Sequence, residues 1–177
     1  MSKIVQIDYK KESKKKALDK NNILRNIAKE VSMEEFGSPE LQKIITEMQE
    51  ACDKEQDGVA IAAPQIGISK KIFLIKEKSF KKNAKWKPLI FINPKIIKTS
   101  KQKQIMQEGC LSVRPFYGDT LRYTSVTIEA KDFTGNKFSF GATGLLAQIF
   151  QHETDHLEGK LFIDHATNIS EFHEEKK

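Results

Sequence analysis

Two histidines one helical turn apart are the first residues of this sequence whose types and spacing could do chemistry. They are His152 and His156, in the stretch FQHETDHLEGKLF that begins at Phe150. On a helix, residues four apart share a face, so both imidazoles can reach one metal ion. Glu153 follows His152 directly, and in a His-Glu-x-x-His pattern this glutamate is a general base. The pattern therefore predicts a hydrolytic metal site, although two structural histidines and a surface acid would give the same five residues.

A catalytic site of this kind needs a third protein ligand, and the sequence offers three candidates. His165 follows His156, and His173 lies in the polar C-terminal tail, where a ligand would be poorly held. Cys110 is the better candidate, because it lies in QEGCLS, where glycine allows close approach of the backbone. A Cys-His-His set leaves a fourth position open for water, as a catalytic site requires. An isolated cysteine is more commonly an inert buried thiol, so that alternative stays open.

The composition is that of a globular protein with a heavily charged surface. The chain has 177 residues, of which 38% are hydrophobic and 31% charged, and no apolar run long enough to cross a bilayer. We expect a single catalytic domain over residues 1–177, with a lysine-rich arm (1–22) and a polar tail (165–177) that could be mobile. The N terminus resembles neither a signal peptide nor a transit peptide, which predicts a cytoplasmic location without membrane association. With Cys52 and Cys110 as the only cysteines, a disulfide framework is not expected.

The net charge of +6 comes largely from lysines clustered at residues 10–16 and 78–87. Such an excess of positive charge could steer the chain toward RNA or another polyanion. A solvated lysine-rich surface is the favoured interpretation, and no specific nucleic-acid motif is predicted.

Two helices and several strands are predicted to position the candidate ligands. One helix begins after Ser38 as N-cap, has Pro39 at its first position, and buries a stripe that ends at Cys52 as a packed thiol. The second helix is expected from about Thr143 to Leu157 and carries both histidines.

The strands are predicted in the region between these two helices. GVAIAAPQIG suits an extended segment that another backbone can approach closely, and KIFLIKE and PLIFINPKII are strand-like runs. LRYTSVTIEAKD alternates as one strand, and KFSFGA follows a turn as its hairpin partner. This order predicts an α+β fold in which antiparallel or mixed sheets pack around a central C-terminal helix that carries the two histidines.

Three ordered motifs make the sequence resemble the peptide deformylases. GVAIAAPQ, EGCLS and QHETDHLEGKLF occur in the order and at the separation typical of that family, and the similarity spans roughly residues 23–164. The resemblance implies metal-dependent removal of the N-formyl group from the N-terminal formyl-methionine of newly synthesised polypeptides, with release of formate. It also implies N-formylmethionyl nascent peptides as partners, and contact with the ribosome near its exit tunnel is possible through the lysines.

The resemblance further implies roles for individual residues. The residues implied at the reacting centre are Cys110, His152 and His156 as metal ligands, Glu153 as general acid and base, and Gln65 with the backbone N–H of Leu111 as donors to the formyl oxygen. The residues implied to bind the peptide are Val59, Ala60 and Gly109 along its backbone, and Leu145, Ile149 and His152 around its methionine. Because Leu145 and Ile149 continue the face of the two histidines, we expect both to point inward. Glu108 and Arg122 could form a pair that orients the cysteine loop, or an ordinary surface salt bridge of small value.

The identity of the metal ion and two substitutions bear on the expected activity. Sulfur and nitrogen donors around an open position suit zinc, whereas the resemblance implies Fe²⁺ as the physiological ion, with Zn²⁺ or Ni²⁺ able to occupy the site. Ala60 stands where the family usually has glycine, and Arg114 where it commonly has proline. Because all ligands and Glu153 remain, an active enzyme is expected. A metal-dependent amidase or peptidase for another N-acyl substrate and a catalytically silent ribosome-binding module stay open as alternatives.

Overall fold

A computed structural model of the chain describes residues 3–15, 22–76 and 89–172. The helices within these residues are α1 (Tyr9–Lys15), α2 (Pro39–Lys54) and α3 (Gly144–Leu157). The strands are β1 (Ala60–Ala62), β2 (Ile72–Ile75), β3 (Leu89–Thr99), β4 (Lys103–Gly109), β5 (Phe116–Tyr123), β6 (Ser125–Lys131), β7 (Lys137–Thr143) and β8 (Thr167–Glu171). His173 and the lysine cluster at 78–87 lie outside the described residues. In the described part of the chain, no helix is long and apolar enough to cross a membrane.

Helix α2 begins where the sequence predicts. The side chain of Ser38 accepts a 3.1 Å hydrogen bond from the Leu41 N–H, and Pro39 occupies the first helical position, where a missing N–H costs nothing. The apolar face of α2 packs against β1, β2 and the turn after β1. Cys52 is fully buried on that face, which confirms the prediction of a packed thiol.

Two antiparallel sheets surround α3. The larger sheet has the strand order β1-β2-β3-β6-β7, and the smaller has the order β4-β5-β8. Phe150 of α3 packs against the larger sheet, with its ring centroid 5.0 Å from that of Phe91, which in turn stacks on Phe73 at 4.6 Å. The predicted α+β fold with a central C-terminal helix is therefore confirmed.

The run LRYTSVTIEAKD forms two strands rather than the predicted one. β5 ends at Tyr123 and β6 begins at Ser125, and the two strands belong to different sheets. Between them the Thr124 N–H donates to the Gln102 carbonyl at 3.1 Å, outside either ladder. Buried residues occupy even-numbered positions in both strands, and residues 123–125 between them are half-buried, so the sequence pattern does not mark the break. The hairpin of β6 with KFSFGA, which lies in β7, is as predicted.

The sequence did not predict strands β4 and β8. Both are short and mostly exposed, so neither shows the apolar run by which a buried strand is recognised. β8 lies in the polar tail, and α1 lies in the lysine-rich arm; Lys10 of α1 forms an exposed 2.6 Å ion pair with Glu171 of β8. The remaining parts of the arm and tail, residues 1–2, 16–21 and 173–177, are outside the described residues.

Candidate metal centre

Three side chains from two distant parts of the sequence meet beside α3. The Sγ of Cys110 and one ring nitrogen each of His152 and His156 lie within 4.8 Å of one another. Sγ is 3.2 Å from His156 Nε2, and the two imidazole rings cross edge to face with centroids 5.0 Å apart. No other group of three such side chains in the described ranges is close enough to hold a metal ion, and the alternative ligand His165 is exposed and outside the group.

The chemistry of this group fits a divalent metal ion. One thiolate and two imidazoles are a common donor set for zinc and related ions, and they leave a coordination position open. The Oε2 atom of Glu153 is buried beside the group and has no hydrogen-bond partner within the described residues. A buried carboxylate oxygen without a partner is costly, and a water molecule at an ion would give it one.

A buried carboxylate orients the imidazole of His152. Its Nδ1 lies 3.0 Å from Glu108 Oε2, which leaves Nε2 as the nitrogen available to an ion. Arg122 donates to both oxygens of Glu108, at 2.7 and 3.0 Å, and also to Asp155 at 2.7 Å. The side chains of Glu108 and Arg122 are only 3% and 7% exposed. This pair is therefore a buried network joined to a candidate ligand, and not an ordinary surface salt bridge.

Burial and hydrogen bonding move the pKa values of these groups in different directions. Burial raises the pKa of Glu153 to about 7, so this carboxyl can hold or release a proton near neutral pH. Burial also lowers the pKa of His156 well below its usual value, which keeps its ring neutral. Burial opposes the charged forms of His152 and Glu108 as well, but hydrogen bonds outweigh it. The pKa of His152 is consequently raised by Cys110 and Glu108, and the pKa of Glu108 is held well below its usual range by His152 and Arg122.

The side-chain amide of Gln65 is held at both ends. Its Oε1 accepts a 2.8 Å hydrogen bond from the Ala62 N–H, at the end of β1. Its Nε2 lies 3.2 Å from Ser112 Oγ and 3.6 Å from Cys110 Sγ. The amide N–H group therefore points toward the thiol, where it can donate to an oxygen atom of a ligand.

The loops that carry Gln65 and Cys110 are tied together by the N-terminal segment. The Val5 N–H donates to the Gln65 carbonyl at 2.7 Å, and the Ile7 N–H donates to the Ser112 carbonyl at 2.8 Å. The segment thus bonds to both loops within three residues, so backbone hydrogen bonds set their separation.

A cleft of about 240 Å³ is lined by two of the candidate ligands, Cys110 and His152, and the third, His156, lies buried behind it. The predicted residues that line it are Val59, Ala60, Gln65, Glu108, Gly109, Cys110, Leu111, Leu145, Ile149, His152 and Glu153. β1 pairs only with β2 among the described strands, so its other edge borders the cleft. Ile149 is buried as predicted, but the prediction that Leu145 points inward is wrong: its side chain is 53% exposed, because it lies in the first turn of α3 at the mouth of the cleft.

Several lining residues were missed by sequence reasoning. The sequence marks Arg114 only as a departure from a family pattern, and the other missed residues are Asp57, Gly58, Gln107, Phe116, Tyr117 and Gln148. Tyr117 lies across from Gly109 in the β4–β5 ladder, and a Cβ at position 109 would fall 2.4 Å from its ring. The glycine before Cys110 was a signal of such a close approach, but the sequence did not show which side chain approaches it.

Comparisons with known proteins agree on one family. Residues 14–172 match the model of the polypeptide deformylase family. Curated relatives include peptide deformylase 1 of Vibrio vulnificus, 39% identical over 74% of this chain and 75% of that protein, and a peptide deformylase of Dehalococcoides mccartyi, 37% identical over 86% and 85%. Similar solved structures include a class I type b peptide deformylase of Acinetobacter baumannii, with a TM-score of 0.75, 32% identity and coverage of 84% of this chain and 95% of that one. Peptide deformylase 1B of Arabidopsis thaliana has a TM-score of 0.77 and 32% identity, and covers 94% and 82%.

Proposed function

Because the chain belongs to the polypeptide deformylase family, it is a hydrolase that removes the N-formyl group from newly synthesised polypeptides, and we propose that Cys110, His152 and His156 form its reacting centre. The observation that carries this proposal is the meeting of a buried thiol and two imidazoles beside Glu153, under a cleft bordered by an edge strand. The reaction adds water across the formyl C–N bond and gives formate and a free N-terminal amine.

We propose that the Cys110 thiolate, His156 and the Nε2 atom of His152 hold one divalent ion. A neutral ring at His156 is ready to bind, whereas His152 must give up its second ring proton, so binding should release protons. When bound, the ion supplies Lewis acidity and a water molecule that loses its proton near neutral pH. Fe²⁺ is the proposed resident ion because of the family resemblance, and Zn²⁺ or Ni²⁺ fit the same donors.

Glu153 is proposed as the general acid and base. A pKa near 7 lets its carboxylate take the proton of the attacking water and then deliver it to the amine nitrogen as the C–N bond breaks. Its unpartnered Oε2 is the atom available for this transfer. Proton transfer by a positioned side chain typically contributes about 10²–10⁴ to the rate.

Gln65 and the backbone N–H of Leu111 are proposed to stabilise the negative charge that grows on the formyl oxygen. Support comes from the fixed amide of Gln65, whose carbonyl end is already occupied by Ala62 and whose N–H group points toward Cys110. Preorganised donors of this kind need no rearrangement when the charge forms, which is why they lower the barrier.

The peptide is proposed to bind as an added strand beside β1. Val59 and Ala60 would pair with its backbone on one side and Gly109 on the other, because the edge of β1 and the end of β4 both border the cleft. Ile149 and the exposed Leu145 would form the walls for the methionine side chain.

We further propose that the chain works as one catalytic domain in the cytoplasm, close to the ribosomes that release its substrate. The lysines of the N-terminal arm, including Lys11 of α1, support an electrostatic contact with ribosomal RNA. Co-sedimentation with ribosomes at increasing salt concentration measures this contact. No binding at any salt concentration, including the lowest, would contradict this part of the proposal.

Formate release tests the reaction directly. Protein loaded with Fe²⁺ under anaerobic conditions should release formate from a formyl-Met-Ala-Ala peptide and leave the acetylated peptide intact. Glu153→Ala should keep the metal and lose turnover, whereas the control Glu158→Gln, which changes a 40% exposed carboxylate at the end of α3, should remain active. Fully loaded protein that releases no formate would contradict the proposed function, and an active Glu153→Ala variant would contradict the role of Glu153.

A further inference from the structure

Arg114 joins the two loops that border the cleft. Its Nη1 donates a 2.6 Å hydrogen bond to Glu55 Oε2, and its Nη2 pairs with Asp57 Oδ1. Glu55 is the C-cap residue of α2, and Asp57 stands shortly before β1. Arg114 instead follows Cys110 in the loop between β4 and β5. The Arg114 guanidinium thus connects the segment just before β1 with the loop that carries the candidate thiol ligand.

The segment that carries Glu55 and Asp57 is also held from its buried side. The ammonium of Lys76 is only 9% exposed and donates to the carbonyls of Cys52 and Glu55 at the end of α2. The backbone N–H of Lys76 donates to the Val59 carbonyl at 2.8 Å. With Lys76 inside and Arg114 outside, the segment 55–59 is attached on both sides, so Val59 has a defined distance from the opposite wall of the cleft.

The outer contact is open to water, whereas the inner one is buried. The side chains of Arg114, Glu55 and Asp57 are 41%, 27% and 57% exposed. Removing a charge from this group therefore leaves no buried ion unpaired, and the fold should tolerate the change. Arg114 and Asp57 both line the cleft, so their contact forms part of its wall.

We propose that Arg114 is a positioning residue: by holding the loop of Glu55 and Asp57, it sets the width of the groove for the peptide residues that follow methionine. The inference rests on the proposed function, because it assigns this groove to the peptide substrate. A guanidinium forked between two carboxylates fixes both distance and direction, which a lysine ammonium does not. Both terminal nitrogens of Arg114 are engaged by these acids, which disfavours direct recognition of an acidic substrate residue.

Steady-state formate release separates groove width from chemistry. We compare formyl-Met amide with formyl-Met-Ala-Ala for wild type, Arg114→Gln, Arg114→Lys and the double variant Glu55→Gln/Asp57→Asn. The control is Lys137→Gln, which removes an exposed ion pair with Glu129 in the distant β6–β7 hairpin. We expect Arg114→Gln and the double variant to raise KM for the tripeptide about threefold to fivefold, the scale of exposed ion pairs, with kcat and the short substrate unchanged. Arg114→Lys should recover part of the loss, and the control should match wild type.

A second measurement keeps the test independent of turnover. Calorimetric titration with the unformylated product Met-Ala-Ala should show the same threefold to fivefold weakening in Arg114→Gln and in the double variant. Wild-type protein that binds this peptide but releases no formate would count against the proposed function alone. Equal peptide binding in wild type and Arg114→Gln would overturn the inference, and so would a loss of kcat on the short substrate. Direct contact between Arg114 and the substrate would give a different result: the double variant would bind Met-Asp-Ala more tightly than wild type, and only Arg114→Gln would bind it more weakly. That result would also overturn the inference.

Discussion

Replacing Glu108 with glutamine should weaken metal binding and also destabilise the protein. One carboxylate both orients the ligand His152 and pairs with the buried Arg122. Glu108 accepts hydrogen bonds from Thr120 Oγ1, from Nε and Nη2 of Arg122, and from His152 Nδ1. A glutamine side chain has the same shape but only one accepting oxygen. If that oxygen keeps Thr120 and Arg122 Nε, the new NH₂ group faces His152 Nδ1 and can only donate to it. When His152 gives up one of its two ring protons, the remaining proton then stays on Nε2, the nitrogen that an ion needs.

The size of both effects follows from this geometry. Loss of a carboxylate that orients a ligand histidine typically costs about 10-fold to 100-fold in metal affinity. Removing one member of a buried ion pair costs about 3–5 kcal/mol, and we expect about 3 kcal/mol because Arg122 keeps Asp155. For a domain of this size, that loss lowers Tm by about 6–12 °C.

The assay is a pair of measurements on metal-free protein. Zinc titration against a chromophoric chelator gives the affinity, and thermal unfolding without metal gives the stability. Glu129→Gln is the matched control, because it removes an exposed carboxylate that lies 3.9 Å from Lys137 and should change neither quantity measurably. A Glu108→Gln variant that binds zinc within about twofold of wild type would refute the argument that Glu108 sets the proton position of His152.

The stability difference should also depend on pH in a defined direction. The pKa of Glu108 is depressed in the folded state, so its carboxylate stabilises the fold above the unfolded pKa of about 4.3. As the pH falls below that value, the unfolded chain takes up a proton that the folded chain resists, and the contribution is lost. The difference between wild type and Glu108→Gln should therefore be full at pH 7 and shrink below about pH 4.

Three further predictions concern other parts of the site. Gln65→Leu should lower kcat by about 10²–10³ at unchanged metal content, measured by formate release and metal analysis, and normal turnover would exclude Gln65 as a donor to the formyl oxygen. In native metal-free protein at pH 8, iodoacetamide should modify Cys110 and spare Cys52, because burial raises the pKa of the Cys52 thiol to about 12. Metal loading should then protect Cys110. Early labelling of Cys52, detected by mass spectrometry, would contradict its buried position. Gly109→Ala should lower the free energy of unfolding by about 1–3 kcal/mol because the new methyl group meets the ring of Tyr117, and urea unfolding that shows no loss would mean that the ring moves aside freely.

Much of the fold could be predicted where local physics decides the structure. Ser38 and Pro39 mark the start of α2 because an N-cap and a first-turn proline act within a few residues. The break at Thr124 could not be predicted in the same way, since the strands on either side keep the same alternation. Which sheet a strand joins depends on partners elsewhere in the chain, and for β5 these are β4 and β8.

The candidate site likewise has parts that the sequence predicts and parts that depend on the tertiary structure. The sequence by itself determined that His152 and His156 share one helix face with Glu153 between them, because residues four apart on a helix are neighbours in any fold. The sequence also marked Cys110 as the best third ligand, from its glycine-containing loop, and Gln65 through a family resemblance.

Only the tertiary structure decided that the Cys110 thiol lies 3.2 Å from the His156 ring and that Leu145 stands at the mouth of the cleft. The same holds for the contacts between Glu108 and His152 and between Arg114 and the acids before β1. Each of these contacts joins segments far apart in the chain. Their geometry follows from how the helices, sheets and loops pack together, which no local pattern of residues encodes.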